Sequence, residues 1–191
     1  MATTSLWKIS GSLKKVLDYA ENPDKTSLEN VIEYASDAAK TDNELFVTGI
    51  NCDVENAYEM MTETKRQFGK KDKVVAYHGY QSFKDGEVTP EECHAIGVET
   101  AKRLWGDRYE VIVTTHLNTK THLHNHFVFN SVSFVDGEKF RYQTADILAL
   151  REVSDEVCKE FGKSVLENHP FTAAARFIGY TETAVLLRRI L

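Results

Sequence analysis

The stretch TTHLNTKTHLHNHFVFN, residues 114–130, decides the fold and holds four of the chain's seven histidines. Its two ends belong to strands that the β-branched and aromatic content predicts over 109–116 and 124–134. A turn through Asn118-Thr119-Lys120 separates them. Two strands joined by so short a loop must be antiparallel neighbours. The sequence therefore predicts an antiparallel sheet that contains this hairpin.

The rest of the chain supplies helices and further strands around that hairpin. Strands are predicted over 45–50 and 73–83, and a returning strand over 139–142 after an Asp136-Gly137 turn. Apolar residues at helical spacing predict four helices. The first covers 12–20, the second is capped by Asp53 and reaches Phe68, the third runs from the Thr89-Pro90-Glu91-Glu92 capping box to Trp105, and the fourth covers 144–161. A more polar helix is predicted over 27–39. The expected fold is α+β, a central and mainly antiparallel five-stranded sheet flanked by helices.

Length and composition indicate an ordinary globular chain. It has 191 residues, 42% of them hydrophobic and 27% charged, which suits one domain with a real core. No apolar run approaches the roughly 20 residues of a membrane span, and the first nine residues lack an apolar signal core. We therefore expect no membrane insertion and a cytoplasmic location. The three cysteines, Cys52, Cys93 and Cys158, are expected to be reduced, buried thiols.

The net charge of −6 weighs against a nucleic-acid partner, because proteins that bind phosphate usually carry a basic surface. The distribution of charge matters more than its sum. Five basic residues fall in one short stretch: Lys65, Arg66, Lys70, Lys71 and Lys73. This cluster is either a DNA contact or an ordinary solvated face.

The histidines of the hairpin form the clearest candidate site. Alternate residues of a strand point to one face, so His124 and His126 project together. The turn brings His116 opposite that pair. Three imidazoles that converge in this way can bind a metal ion and leave coordination positions open for a phosphoryl group. The spacing alone does not choose between zinc and a harder divalent ion, nor between hydrolysis and transesterification.

Residues 116–130 resemble the third motif of mobilisation relaxases of the MobA/VirD2 type, within the wider class of nucleases with a paired-histidine (HUH) motif. That motif is roughly H-x-D, a short gap, then L-H-x-H, apolar residues and Asn. The resemblance implies that His116, His124 and His126 bind one divalent cation, expected to be Mg²⁺ or Mn²⁺. Asn118 stands where the family usually has Asp. His122 either replaces one ligand or, like Asn118 and the motif's final Asn130, orients the ligand histidines without binding the cation itself.

Residues 17–26, LDYAENPDKT, resemble the first motif of the same family. The resemblance implies that Tyr19 is the nucleophile and that Lys25 contacts DNA. Periodicity alone makes Tyr19 a residue at the edge of a helix's apolar face. Three other tyrosines are the alternative nucleophiles: Tyr34, Tyr77 and Tyr80.

Residues 78–83, HGYQSF, with Gly86-Glu87-Val88 after them, resemble the second motif, which is linked in the family to DNA contact and support of the site. The resemblance implies that Ser82 contacts DNA, and that His78 either contacts DNA or has a structural role. It also implies a catalytic role for Glu87, although an ordinary turn carboxylate explains that residue equally well.

Together these motifs imply site- and strand-specific nicking of transfer-origin DNA during conjugative mobilisation, through a covalent 5′-phosphotyrosine adduct. The fold that the resemblance implies is the palm-like sheet of HUH nucleases. The expected partners are single-stranded or hairpin transfer-origin DNA, an accessory relaxosome protein and a type IV coupling protein, all in the bacterial cytoplasm.

The resemblance covers residues 1–169 and leaves 170–191 as a C-terminal extension without a match. Since relaxases of this family commonly continue into further C-terminal regions, the chain is expected to be a truncated or incomplete relaxase. Two alternatives stay open. One is a replication initiator or transposase that uses the same chemistry. The other is a DNA-binding remnant without catalysis, which Asn118 and the acidic balance suggest.

Overall fold

One antiparallel sheet forms the centre of the molecule. The computed structural model describes residues 2–20, 45–71, 73–116 and 122–165, with the backbone alone at 16, 18–20 and 45. The strands lie in the spatial order β1-β3-β5-β4-β2, and each neighbouring pair is antiparallel. They are β1 (Thr3–Ser10), β2 (Leu45–Ile50), β3 (Val74–Ser82), β4 (Val111–His116) and β5 (His124–Asn130).

Within the described ranges, two helices cover each face of the sheet. The four described helices are α1 (Leu13–Ala20), α2 (Ala57–Gln67), α3 (Pro90–Trp105) and α4 (Thr144–Glu160). On one face, Leu13 and Leu17 of α1 pack with Met61 of α2 over Ile112 and Val128. On the other face, α3 and α4 cover the strands through an apolar cluster that includes Trp105, Leu150, Phe127 and Phe129. The predicted α+β fold, with a five-stranded sheet flanked by helices, is confirmed.

The register of the three central strands places the histidines at one end of the sheet. His124 pairs with His116 of β4 on one side and with Ser82 of β3 on the other. Because side chains alternate between faces, His116, His124 and His126 share the face covered by α1 and α2. The predicted turn at 118–120 lies outside the described residues.

One of the five predicted strands is wrong. Residues 139–142 form no strand; Lys139 makes only an isolated bridge to Val132. The turn before them does form, and Gly137 takes the left-handed backbone that favours glycine, with φ of +72°. The fifth strand is β1, which the sequence did not reveal because Leu6 is its only buried side chain within 3–10. An edge strand with one buried position lacks the apolar alternation of a core strand.

Smaller differences concern element ends. The strand predicted to reach residue 134 ends at Asn130, and α2 begins after Asn56 rather than at the predicted Asp53. The main-chain oxygen of Asp53 accepts a hydrogen bond from the Asn56 N–H, at 3.2 Å, so Asp53 belongs to the preceding turn. The Thr89 capping box is confirmed. The predicted helix over 27–39 lies outside the described residues.

Two further expectations can be compared with the structure. All three cysteines are free thiols, as predicted; Cys93 and Cys158 are buried and Cys52 is half-buried. Among the helices of the described ranges, none combines the length and apolar character that a membrane crossing needs.

Candidate metal and active site

Three buried imidazoles converge at the end of the β4–β5 hairpin. One nitrogen from each of His116, His124 and His126 can serve as a ligand, and these atoms lie within 4.8 Å of one another. The ring centroids are 4.7–5.1 Å apart, and each side chain is 6–8% exposed. The predicted convergence of the three side chains is therefore present in the fold.

The protonation of these rings suits cation binding. Burial, and secondarily the neighbouring His116, lower the pKa of His124 to about 4. Burial and, to a smaller extent, the neighbouring His78, His116 and His124 together lower the pKa of His126 to about 2. Both rings are thus neutral at pH 7 and keep a nitrogen lone pair for a cation. With His116 beside them, these rings offer a divalent ion three nitrogen donors on one side and leave other positions open.

His122 and Asn130 occupy different places around this cluster. The ring centroid of His122 lies 6.1 Å from that of His124, and its main-chain oxygen lies 3.4 Å from His124 Nδ1. Asn130 is four residues beyond His126, about 13 Å along a strand. Its amide nitrogen donates to Met61 O at 3.1 Å and to Glu110 Oε2 at 3.0 Å. The structure therefore brings His122 beside the ligands but does not bring Asn130 there.

His78 lies behind the cluster rather than at the surface. Its side chain is 1% exposed, and its Nε2 is 2.7 Å from His126 Nδ1. The ring of Trp7 on β1 covers it, with a centroid distance of 4.5 Å. A side chain so buried does not reach DNA, so the structure favours the structural alternative for His78 over the DNA contact. Burial, and secondarily the charge of His116, lower the pKa of His78 to about 4.

The candidate nucleophiles separate by sheet face. α1, which carries Tyr19 in its last turn, lies on the histidine face, although the structure describes only the backbone of Tyr19. Tyr80 lies on the same face, with its ring centroid 5.2 Å from that of His124 and 5.3 Å from that of His126. Tyr77 points to the opposite face, where its hydroxyl donates to Phe140 O at 2.8 Å. Tyr77 is therefore excluded as the nucleophile, and Tyr34 lies outside the described residues.

Ser82 and Glu87 are the other predicted residues of the second motif. Ser82 pairs with His124 at the histidine end of the sheet and is 8% exposed. Glu87 lies in the turn between β3 and α3, where its carboxylate accepts hydrogen bonds from the Lys84 N–H at 3.3 Å and from the Ser164 hydroxyl. Lys25 and Asn118 lie outside the described residues.

Asn125, between the two paired histidines, was missed by the sequence analysis. It points to the α3 face, where its amide nitrogen donates to Gln81 Oε1 at 2.8 Å and to Cys93 O at 2.9 Å. Its oxygen accepts from the Thr115 hydroxyl at 2.6 Å. Strand alternation predicted the direction of this side chain, but its partners come from three separate elements. These hydrogen bonds hold β5 in place on the face opposite the histidines.

Comparison with known proteins shows the family to which the chain is similar. Residues 19–163 match the family described as relaxase, MobA/VirD2-like, nuclease domain. The chain is 37% identical over 141 residues to "Protein rlx" of Staphylococcus aureus, covering 74% of this chain and 42% of that protein. It is 26% identical to the group II intron-interrupted relaxase LtrB of Lactococcus lactis over an alignment of 227 positions including gaps, covering 93% of this chain and 40% of that protein. The chain thus spans less than half the length of these relatives. No solved structure matches it.

Proposed function

Because the chain belongs to the MobA/VirD2-like family of relaxase nuclease domains, we propose that it nicks one strand of transfer-origin DNA by tyrosine transesterification. The observation that carries the proposal is the group of three buried imidazoles with ligand atoms within 4.8 Å of one another. This group shares a sheet face with α1, the helix that contains Tyr19. A cation site and a tyrosine on one face are what metal-assisted attack on a phosphodiester requires.

His116, His124 and His126 are proposed as the ligands of one divalent cation, with Mg²⁺ or Mn²⁺ in use. When bound, the cation polarises the scissile phosphate and offsets the negative charge that develops there. The protein's part is to hold three lone pairs in place on two paired strands. This arrangement limits the reorganisation that the reaction would otherwise require.

Tyr19 is proposed as the nucleophile. Its phenol oxygen forms a bond to the scissile phosphorus, while the bond from phosphorus to the 3′ oxygen of the preceding nucleotide breaks. The phenol proton ends on that 3′ oxygen, so the products are a 5′-phosphotyrosine and a free 3′ hydroxyl. One phosphodiester replaces another, which allows the strand to be rejoined by the reverse step.

The remaining residues have supporting roles in this proposal. Ser82, next to His124 on the neighbouring strand, and Lys25 are proposed to contact the DNA backbone. Glu87 is proposed as a catalytic carboxylate, although its hydrogen bonds to Lys84 and Ser164 also give it a structural use. His122 and Asn118 are proposed to support the ligand histidines.

The substrate is proposed to be single-stranded or hairpin transfer-origin DNA in the bacterial cytoplasm, because a tyrosine on a helix must reach an unpaired backbone. An accessory relaxosome protein and a type IV coupling protein are the proposed partners. The family match favours mobilisation over a replication initiator or transposase.

A nicking assay tests the proposal. The full chain is incubated with Mn²⁺ and a labelled single-stranded transfer-origin oligonucleotide, then denatured and run on a gel. We expect a covalent protein–DNA band that a chelator abolishes. Tyr19→Phe removes only the hydroxyl, so it should eliminate that band while Mn²⁺ affinity and DNA affinity stay unchanged.

Tyr80→Phe is the matched control, because Tyr80 is the described tyrosine whose ring lies against the histidines. It should still form the adduct. If Tyr80→Phe loses the adduct and Tyr19→Phe keeps it, the nucleophile is Tyr80. Cleavage without any adduct would mean that water attacks and that the protein is a hydrolase. No cleavage by the natural chain would support a DNA-binding remnant.

A further inference from the structure

We propose that His78 is a positioning residue that fixes the ring of His126, so that Nε2 of His126, and not Nδ1, is the atom that binds the cation. The inference rests on the metal centre of the proposed function. Its basis is the 2.7 Å contact between His78 Nε2 and His126 Nδ1. Because this contact uses Nδ1 of His126, the cation must be bound through Nε2.

The chemistry of neutral imidazole fixes the direction of this hydrogen bond. A neutral ring carries one N–H and one lone pair. If Nε2 of His126 gives its lone pair to a cation, its proton must be on Nδ1, which then donates to His78 Nε2. The proton of His78 is in turn on its own Nδ1. Each ring therefore adopts a single tautomer, as a histidine ligand does when an acceptor holds its other nitrogen.

The surroundings of His78 suit a positioning role and argue against DNA contact or cation binding by His78 itself. β3 is hydrogen-bonded to β5, with His78 opposite Val128 and Tyr80 opposite His126, so the two rings are held by paired strands and not by a loop. Trp7 closes the outer side of His78. With 1% exposure, His78 has no surface to offer DNA. Within the described ranges, the cation-competent group consists of the other three histidines.

The support for His126 is stronger than that for His124. The atom opposite His124 Nδ1 is a main-chain oxygen at 3.4 Å, beyond the usual range for a strong hydrogen bond. The acceptor for His126 is 0.7 Å closer and belongs to a rigid buried ring. We therefore expect His126 to depend on its neighbour more than His124 does.

Mn²⁺ affinity without DNA tests the inference, measured by calorimetry on the full chain. His78→Leu removes the acceptor and should weaken Mn²⁺ binding by about 10- to 100-fold, the usual effect of losing the partner of a ligand histidine. His78→Gln places an amide oxygen near the former Nε2 and should restore most of the affinity. Tyr77→Phe is the control: Tyr77 precedes His78 on the same strand, its hydroxyl donates to Phe140 O at 2.8 Å on the opposite face of the sheet, and its loss should leave Mn²⁺ affinity unchanged.

The outcomes are distinct. Unchanged Mn²⁺ affinity in His78→Leu overturns this inference alone, and equal losses in the Leu and Gln variants assign His78 a packing role instead. No saturable Mn²⁺ binding by the natural chain overturns the metal centre and this inference together. If His78→Leu fails to fold, the ¹⁵N spectrum of the natural chain with Mg²⁺ decides. The proton of His126 on Nδ1 supports the inference, and a proton on Nε2 overturns it.

Discussion

Asn125 shows how one residue can fix the geometry of its two neighbours. The histidines on either side of it face the cation site, while its amide is buried on the opposite face of β5. It links β5 to β3 through Gln81, to α3 through Cys93 and to β4 through Thr115. A Cβ placed on Gly97 of α3 would lie 2.5 Å from the Asn125 amide nitrogen, so the helix approaches closely only because that position is glycine.

We expect Asn125→Ala to lower the free energy of unfolding by about 2–4 kcal/mol, because several buried polar groups lose their partner at once. Urea unfolding followed by far-ultraviolet circular dichroism measures this. Mn²⁺ affinity should fall as well, since both flanking histidines lose their anchor.

Ser131→Ala is the matched control for a single bond. Its hydroxyl makes one long hydrogen bond, 3.3 Å to Val75 O, at the far end of β5. It should cost about 1 kcal/mol or less and leave Mn²⁺ affinity intact. Equal effects of the two substitutions would contradict the anchoring role of Asn125.

At the scale of elements, the sequence predicted what depends on local patterns. The H-x-H spacing, the short turn and strand alternation together predicted that His116, His124 and His126 share a face. The His78–His126 contact was not predicted because the residues are 48 positions apart, and local periodicity contains no information about which strands pair. β1 was missed for a related reason: its pairing with β3, and not its own apolar pattern, makes it a strand.

The histidine-bearing strands should make the metal-free protein sensitive to acid. Burial lowers the pKa of His124 to about 4 and that of His126 to about 2, whereas an unfolded chain protonates histidine near pH 6.5. Between these values the unfolded state binds more protons than the folded state, so stability is lost as pH falls below about 6.5. Each such histidine contributes a slope of up to about 1.4 kcal/mol per pH unit.

Urea unfolding at pH 7, 6 and 5 with a chelator present measures this slope. The double variant His124→Gln/His126→Gln lacks both titrating groups and should show a shallower slope. Saturating Mn²⁺ at pH 7 should stabilise the natural chain but not that variant, because binding to the folded state alone adds to its stability. A natural chain equally stable at pH 5 and pH 7 would contradict the depressed pKa values.

At the scale of the whole molecule, an acidic chain that binds DNA must concentrate its positive charge. Of the five basic residues in 65–73, two have internal partners: Lys65 donates to Asn130 and to Met61 O, and Arg66 donates to Glu63 Oε2 at 2.7 Å. Lys70 and Lys73, in contrast, line a cavity of about 660 Å³. Its other lining residues are Val74, Tyr77, Ser131, Glu138, Lys139, Phe140 and Arg141.

This cavity lies near the start of β3, at the end of the sheet away from the histidines, because Val74 begins that strand and Ser82 ends it beside His124. Nine residues of strand separate the two ends by about 25 Å, a distance that several nucleotides of single-stranded DNA can span. The basic stretch is therefore expected to hold the DNA backbone away from the nick and to take no part in the chemistry.

The salt dependence of DNA binding tests this division. The affinity for a single-stranded oligonucleotide, measured by fluorescence anisotropy between 50 and 200 mM salt, should fall steeply, since each phosphate contact contributes a slope of about −0.7 in log–log form. Lys70→Gln/Lys73→Gln should make that slope shallower by about 1.4 and weaken binding, while adduct formation at saturating DNA stays near that of the natural chain. Lys102→Gln/Lys159→Gln removes the same charge from the exposed surfaces of α3 and α4 and should leave the slope unchanged. Equal slopes for all three proteins would mean that Lys70 and Lys73 are merely solvated, and that the DNA follows another part of the surface.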